Sequence, residues 1–240
     1  MLVILTILAV AITDLIGLLQ ARLTGKAVLF IELGWWVVLT VISAIWVRPD
    51  GWIGAVAALI AAAWFYTAQR MDGTTHPERA PSPQYAWSSV GLIVVIAGFA
   101  WLDVAVLATP VPSGLLWLAL ALFLTQTGNR ITRAVLLLSG RPIGDDGKAA
   151  GAVPASRLKG GRVIGPLERI FIMVLTVVGA SHVVAALMAA KGIVRFPEIS
   201  AEARRDDPTA ETGTKAEEFL VGSLASWGLA GGAGLLAWLL

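Results

Sequence analysis

The chain of 240 residues contains no cysteine. That absence excludes disulfides, thiolate catalysis and cysteine-based zinc or iron–sulfur centres. Histidine occurs twice, at His76 and His182, which excludes a HExxH helix or any helical two-His metal pair. Charge is also scarce: Asp, Glu, Lys and Arg make up 14% of the chain, against roughly 25% in soluble domains. What fills the space is apolar. Hydrophobic residues reach 57% and the mean hydropathy is +0.79, which excludes an ordinary water-soluble enzyme.

Seven apolar runs are bounded by charge, Pro or Gly: 2–19, 27–46, 51–67, 86–106, 114–136, 167–190 and 218–240. Each approaches the roughly 20 residues that cross a bilayer as a helix, and in lipid a helix satisfies its own backbone. The expected fold class is therefore all-α, a polytopic helical membrane bundle of about seven transmembrane helices. Met1 is followed at once by apolar residues without a basic leader, so the first run reads as a retained span. The expected organisation is a five-span bundle over 1–138, a flexible cytoplasmic loop over 139–162, and a two-span unit over 163–240 with a polar loop at 191–216. There is no internal repeat.

Orientation follows the preference of Lys and Arg for the cytoplasmic side. An N-terminus outside places eleven basic connection residues inside and six outside. The sixth connection, with Lys191, Arg195, Arg204, Arg205 and Lys215, opposes that balance, although its acidic residues nearly neutralise it. If the sixth run were a re-entrant hairpin, both long basic connections would be cytoplasmic. Trp46, Trp52, Trp87, Trp101 and Trp117 sit at span ends as an interfacial belt does, whereas Trp35 and Trp36 lie deeper and read as packing residues. The expected location is a cell inner membrane and the expected contacts are membrane lipids. With a pI near 9.2 and no aromatic-and-basic groove, no nucleic-acid partner is indicated.

Several local patterns carry no chemistry. Ser181 and His182 are helix neighbours about 100° apart and cannot form a dyad alone. The glycines from Gly160 to Gly165 have Walker-like spacing, but Pro166 and Leu167 stand where Lys and Ser/Thr would hold phosphate and magnesium. Asp145 and Asp146 lack the further ligands of a calcium loop. No cofactor is implied.

Carboxylates inside spans are costly and are functional candidates by default. Asp14 lies eight residues before Arg22, and Glu32 six after Lys26, which puts both roughly 9–12 Å below one surface on consecutive helices. The fifth run approaches that surface carrying Asn129, Arg130 and Arg133, and the sixth opens there with Glu168 and Arg169. These seven residues are the candidate site, binding an ion, a proton or a lipid phosphate with the arginines as forks. In the alternative, Asp14 or Glu32 neutralises Arg130 and fixes the bundle without chemistry. Asp103, near an outer end, reads as an acid that snorkels to water. In the last run Gly222, Ser226, Ala230 and Gly234 recur every fourth position, with Gly228 and Gly232 in a second row. Such rows let helices approach closely, as an internal packing face or an oligomer interface.

Three blocks carry a resemblance: Gly161-Arg-Val-Ile-Gly165-Pro-Leu-Glu168-Arg169, then Ala190-Lys191 with Arg195-Phe196, then Ala216-Glu217-Glu218-Phe219-Leu-Val-Gly222-Ser-Leu. With Thr13-Asp14 and Gln20-Ala-Arg in the first run, they resemble a bacterial inner-membrane family known as domain of unknown function 3307. The resemblance implies a metal-binding or hydrolytic site built from His and Asp at span ends. This chain departs there, with Glu32 in place of a His and Ser88 and Ser89 in place of Asp and Gln. What carries over best is the Glu168-Arg169 helix start and the final helix, both architectural.

The leading functional expectation is a transport, channel or membrane-complex assembly component without catalytic machinery, acting as a homo-oligomer or as a subunit of a membrane complex. One alternative is a membrane-embedded enzyme on a lipid or polyprenyl phosphate, with Asp14 and Glu32 as acid/base or cation ligands and Arg130 and Arg133 on the phosphate. The other is a purely structural subunit.

Overall fold

A computed structural model describes residues 1–21, 23–47, 50–71, 83–107, 111–140, 161–203 and 214–240. Every regular element among them is helical. The first helix, α1 (Leu2–Gly17), is apolar around its whole circumference, and a helix of that kind belongs in an interior. Leu2 to Ala11, with Thr13 and Asp14, are all buried. α1 is thus the axis of the bundle, and a 3₁₀ turn, Leu18–Ala21, ends it.

Around this axis the helices bury one narrow face each. α2 (Gly25–Trp46) turns Val28, Glu32, Leu39 and Ser43 inward. α3 (Ile53–Met71) packs on α1 and α2 and buries Gly54, Ala57, Ala61, Trp64 and Ala68, mostly small residues that permit close approach. A Cβ on Gly54 would stand 2.4 Å from that of Ser43, so α2 and α3 require a glycine there. α4 (Pro83–Leu102) continues as a π-helical turn, Asp103–Leu107. Phe30, Leu59, Val94 and Trp46 stand exposed on the outer faces, an apolar surface compatible with a lipid surround.

Among the described residues three helices are long and apolar enough to cross a membrane: Gly25–Trp46, Gln84–Leu107 and Phe219–Leu239. Not every apolar run is a single helix. The fifth divides into α5 (Ser113–Phe123) and α6 (Gln126–Leu138), with a break at Leu124–Thr125. The sixth divides into α7 (Gly161–Val177) and α8 (Ser181–Ala203). Between them Gly179 has φ +74, the Gly179 N–H reaches the Thr176 carbonyl at 3.1 Å, and the Ala180 N–H reaches that of Leu175 at 2.9 Å. This paired capping by a left-handed glycine ends a helix and reverses the chain.

Side-chain pairings fix the relative directions of the last three helices. Glu168 meets Lys191, so α7 and α8 run antiparallel as a hairpin. In the last helix, α9 (Thr214–Leu239), Trp227 meets Glu168, and Gly234 lies against Thr176. α7 and α9 therefore run parallel, and their amino-terminal ends share one side of the bundle. The carboxyl-terminal helices do not form a separate core: Met173, Ala233 and Leu236 belong to the same buried cluster as Ile4 and Phe123.

Some expectations change here. Much of the 191–216 segment is helical, because α8 runs to Ala203 and α9 begins at Thr214. Pro166 lies inside α7, beyond its first turn. Asp103 does not snorkel: it is buried, and its carboxylate accepts the Leu2 N–H at 3.0 Å and the Val3 N–H at 2.8 Å. Those amides are orphan donors at a helix start, where a negative charge is favoured. His76, Asp145, Asp146 and most of 139–162 lie outside the described residues.

Candidate functional site

The candidate residues separate into two buried constellations, a separate Glu168 pairing and one exposed position. The first joins α1, α2, α3 and α6. Arg130 of α6 is buried and donates through Nη1 to Asp14 Oδ1 of α1. The same oxygen accepts the Trp64 indole N–H of α3 at 2.9 Å. Gly17 leaves room for the guanidinium, since a Cβ there would lie 3.4 Å from Arg130 Nη2. Glu32 of α2 has no exposed surface, and neither of its carboxylate oxygens has a hydrogen-bond partner. Its polar neighbours are Thr13, Asp14 and Arg130. Thr13 accepts the Trp36 indole N–H at 3.1 Å. Asp14 Oδ2 and Thr127 Oγ1 are also buried without partners.

The composition of this constellation is unusual for an apolar core. Two carboxylates share the surroundings of one guanidinium, three of their four oxygens accept no hydrogen bond of ordinary geometry, and the nearest further donors are the hydroxyls of Thr13 and Thr127. Unmade buried hydrogen bonds cost about 1–3 kcal/mol each, and more for charged groups. Such a set of acceptors is shaped for a small positive species.

The second constellation is built on Arg169 of α7. Its Nε donates to the Leu124 carbonyl at 2.6 Å and its Nη2 to the Thr125 carbonyl at 3.0 Å. Nη2 also donates to Asn129 Oδ1 at 2.6 Å, and Nη1 to Ser226 Oγ at 3.2 Å. Leu124 and Thr125 lie at the break between α5 and α6, where carbonyls lose their helical donors. The guanidinium supplies them and ties the break to α7 and α9. Four of its five N–H donors meet acceptors of the protein itself.

Glu168, adjacent in sequence, points elsewhere. It accepts from Lys191 Nζ at 2.5 Å and from the Trp227 indole N–H at 2.9 Å, joining α8 and α9. Arg133 is exposed, one turn from buried Arg130. Of the seven candidates, Asp14, Glu32 and Arg130 are brought together. Asn129 and Arg169 meet in the second constellation, and Glu168 and Arg133 belong to neither. Ser181 and His182 begin α8 with both side chains exposed.

Gly222, Ser226, Ala230 and Gly234 face inward: Gly222 toward Leu136, Ser226 to Arg169, and Gly234 to Thr176, with Ala230 fully buried. This row is a packing face within the chain. Gly228 and Gly232 line an open apolar cleft of about 700 Å³ with Ile96, Trp101, Phe123 and Leu224.

Thr13, Trp64 and Thr127 were not singled out by sequence. The available signal was Trp64 in mid-run, since a buried indole N–H seeks an acceptor. Arg70, at the end of α3, stacks 4.1 Å from the Tyr66 ring centroid and donates to the Tyr85 hydroxyl at 2.6 Å. That hydrogen bond raises the Arg70 pKa. Among the described residues no group of three or more His, Cys, Asp or Glu is placed to hold a metal ion. Compared with protein-family models, characterised proteins and solved structures, the chain matches none.

Proposed function

We propose that the chain is a multi-pass protein of a bacterial inner membrane that serves as a transport component, binding an ion in the Asp14–Glu32–Arg130 constellation. The observation that carries this reading is Glu32, fully buried with neither oxygen partnered, beside an acid already paired to the local cation. A bundle that needed only a counter-ion for Arg130 has one in Asp14, and a second buried acid adds cost without adding structure. The enzyme reading loses support, because Arg169 is committed to backbone carbonyls and Arg130 to Asp14.

The topology we propose has an external N-terminus, six crossings formed by α1, α2, α3, α4, α5 with α6, and α9, and a re-entrant α7–α8 hairpin. Support comes from the Gly179 turn and from the parallel course of α7 and α9. The two long basic connections then share the cytoplasmic side. Arg48 is left as the one basic connection residue opposite them, a much stronger bias than seven crossings allow. Of the three blocks resembling domain of unknown function 3307, two fall at the starts of α7 and α9, which pack together, and one lies within α8; we include membership of that family in the proposal.

Reconstitution into vesicles enclosing a pH- or ion-sensitive dye tests the transport reading. An imposed gradient is expected to drive flux that Glu32→Gln abolishes; equal flux in protein-free vesicles ends the reading. A chain without native cysteine also makes topology direct to measure. Ser156→Cys and Thr209→Cys are expected to react with an impermeant thiol reagent from the same side, and Ser113→Cys from the other.

A further inference from the structure

We infer that the ligand of this constellation is a proton, carried by the Glu32 carboxyl and held against Asp14 and Arg130. The inference rests on the ion-binding reading above and names its ion.

Charge balance and coordination select the ion. Asp14 and Glu32 ionised together with Arg130 sum to one negative charge in an apolar interior, a state that several kcal/mol disfavour. One monovalent positive species removes it. A metal cation needs several oxygen ligands at once, and the place it would take beside Asp14 is filled by the Arg130 guanidinium, which repels it. A proton needs no coordination shell. On a Glu32 oxygen it removes the charge from a carboxylate that is fully buried and accepts no hydrogen bond of ordinary geometry. One protonated carboxyl, one carboxylate and one guanidinium then sum to zero charge, and the neighbouring Asp14 charge itself favours a proton on Glu32.

Among the described residues the surroundings add no competing charge. Helices α1 and α3 and the Leu18–Ala21 turn pack against α2. α1 brings Asp14, the turn brings no titratable group, and α3 brings only Tyr66 and Arg70, which are exposed and stack on each other. On α2 itself Lys26 is exposed, and α6 contributes Arg130. When Glu32 gives its proton to water, the O–H bond electrons stay on the carboxylate, which then competes with Asp14 for the guanidinium. Proton release is thereby linked to the contact between α1 and α6.

Infrared difference spectroscopy of the full chain in lipid nanodiscs tests this. At neutral pH the wild type is expected to show the carbonyl stretch of a protonated carboxylic acid, shifted in D₂O, entirely lost in Glu32→Gln, and unchanged when sodium replaces potassium. Labelling the glutamate carboxyls with ¹³C in the unaltered chain makes the same assignment without a substitution. No band at neutral pH, a band that survives in Glu32→Gln or ignores the label, or a band removed by sodium would each overturn the inference, the last in favour of a sodium site. Gln is the isostere of the neutral acid, so a Glu32→Gln chain that does not fold also counts against it. A Glu32-dependent band without flux in vesicles leaves the proton site standing and ends the transport reading; flux without a band does the reverse.

Discussion

Arg130 and Arg169 are both buried arginines near the same depth of the bundle, and their settings are opposite. Arg130 pairs with a carboxylate, has a second carboxylate as neighbour, and sits near three carboxylate oxygens that accept no hydrogen bond of ordinary geometry. Arg169 makes four hydrogen bonds to two carbonyls, an amide oxygen and a hydroxyl. One site has acceptors in excess and the other is closed. A buried cation is therefore not informative by its residue type. What distinguishes a ligand site from a structural clamp is whether its acceptors and donors balance.

The strongest way to break the comparison is Arg130→Met. It leaves Asp14 and Glu32 facing each other without a cation, and loss of one partner of a buried pair costs about 3–5 kcal/mol. The expected outcome is little folded protein, read by fluorescence-detected size exclusion, with much of it recovered by adding Asp14→Asn. Next comes Arg169→Met, which strands the Leu124 and Thr125 carbonyls at a cost of about 3 kcal/mol. Arg169→Lys keeps the charge but not the fork and should recover only part of the lost thermal midpoint. Equal midpoints for the Lys and wild-type chains would show that charge, not the fork, holds the helix break.

The glycines beside the two arginines sharpen the contrast at smaller scale. A Cβ on Gly128 would lie 2.9 Å from Arg169 Nε, so Gly128→Ala should cost about 1–3 kcal/mol. At Gly17 the corresponding distance to Arg130 is 3.4 Å, and Gly17→Ala should be neutral or slightly stabilising through helix propensity, by up to about 1 kcal/mol. The smallest effect belongs to Glu32→Gln. With a proton already on Glu32 the change preserves shape and charge, so the midpoint should move by less than the shift for Gly128→Ala. A collapse as large as that of Arg130→Met would make Glu32 a required anion.

The legible part of the site was its rare residues in an apolar background. Asp14, Glu32 and Arg130 stood out because carboxylates and guanidinium in spans are expensive, and helical rise put them near one depth. Their partners were not legible. Thr13, Thr127 and Trp64 are common residues in apolar runs, and their roles depend on which face of which helix they occupy. Glu168 and Arg169 are neighbours whose side chains diverge around α7, so adjacency misled. Asp103 was misread because its partner is the amino-terminal backbone of α1, about a hundred residues away. Gly179 was a readable helix terminator, concealed by the apolar residues on both sides of it.

Composition and hydropathy by themselves determined an all-helical chain suited to lipid, the exclusion of cysteine chemistry, and the few charges that need explanation. Those conclusions rest on solvation, a sum over residues that needs no contacts. Tertiary structure alone decided that the sixth run folds back as a hairpin, that the α9 small-residue row packs inward, and that one buried arginine is held by four uncharged acceptors while the other faces surplus acid. Each of those depends on which groups meet across helices, and that is fixed by packing geometry rather than by the chain's order.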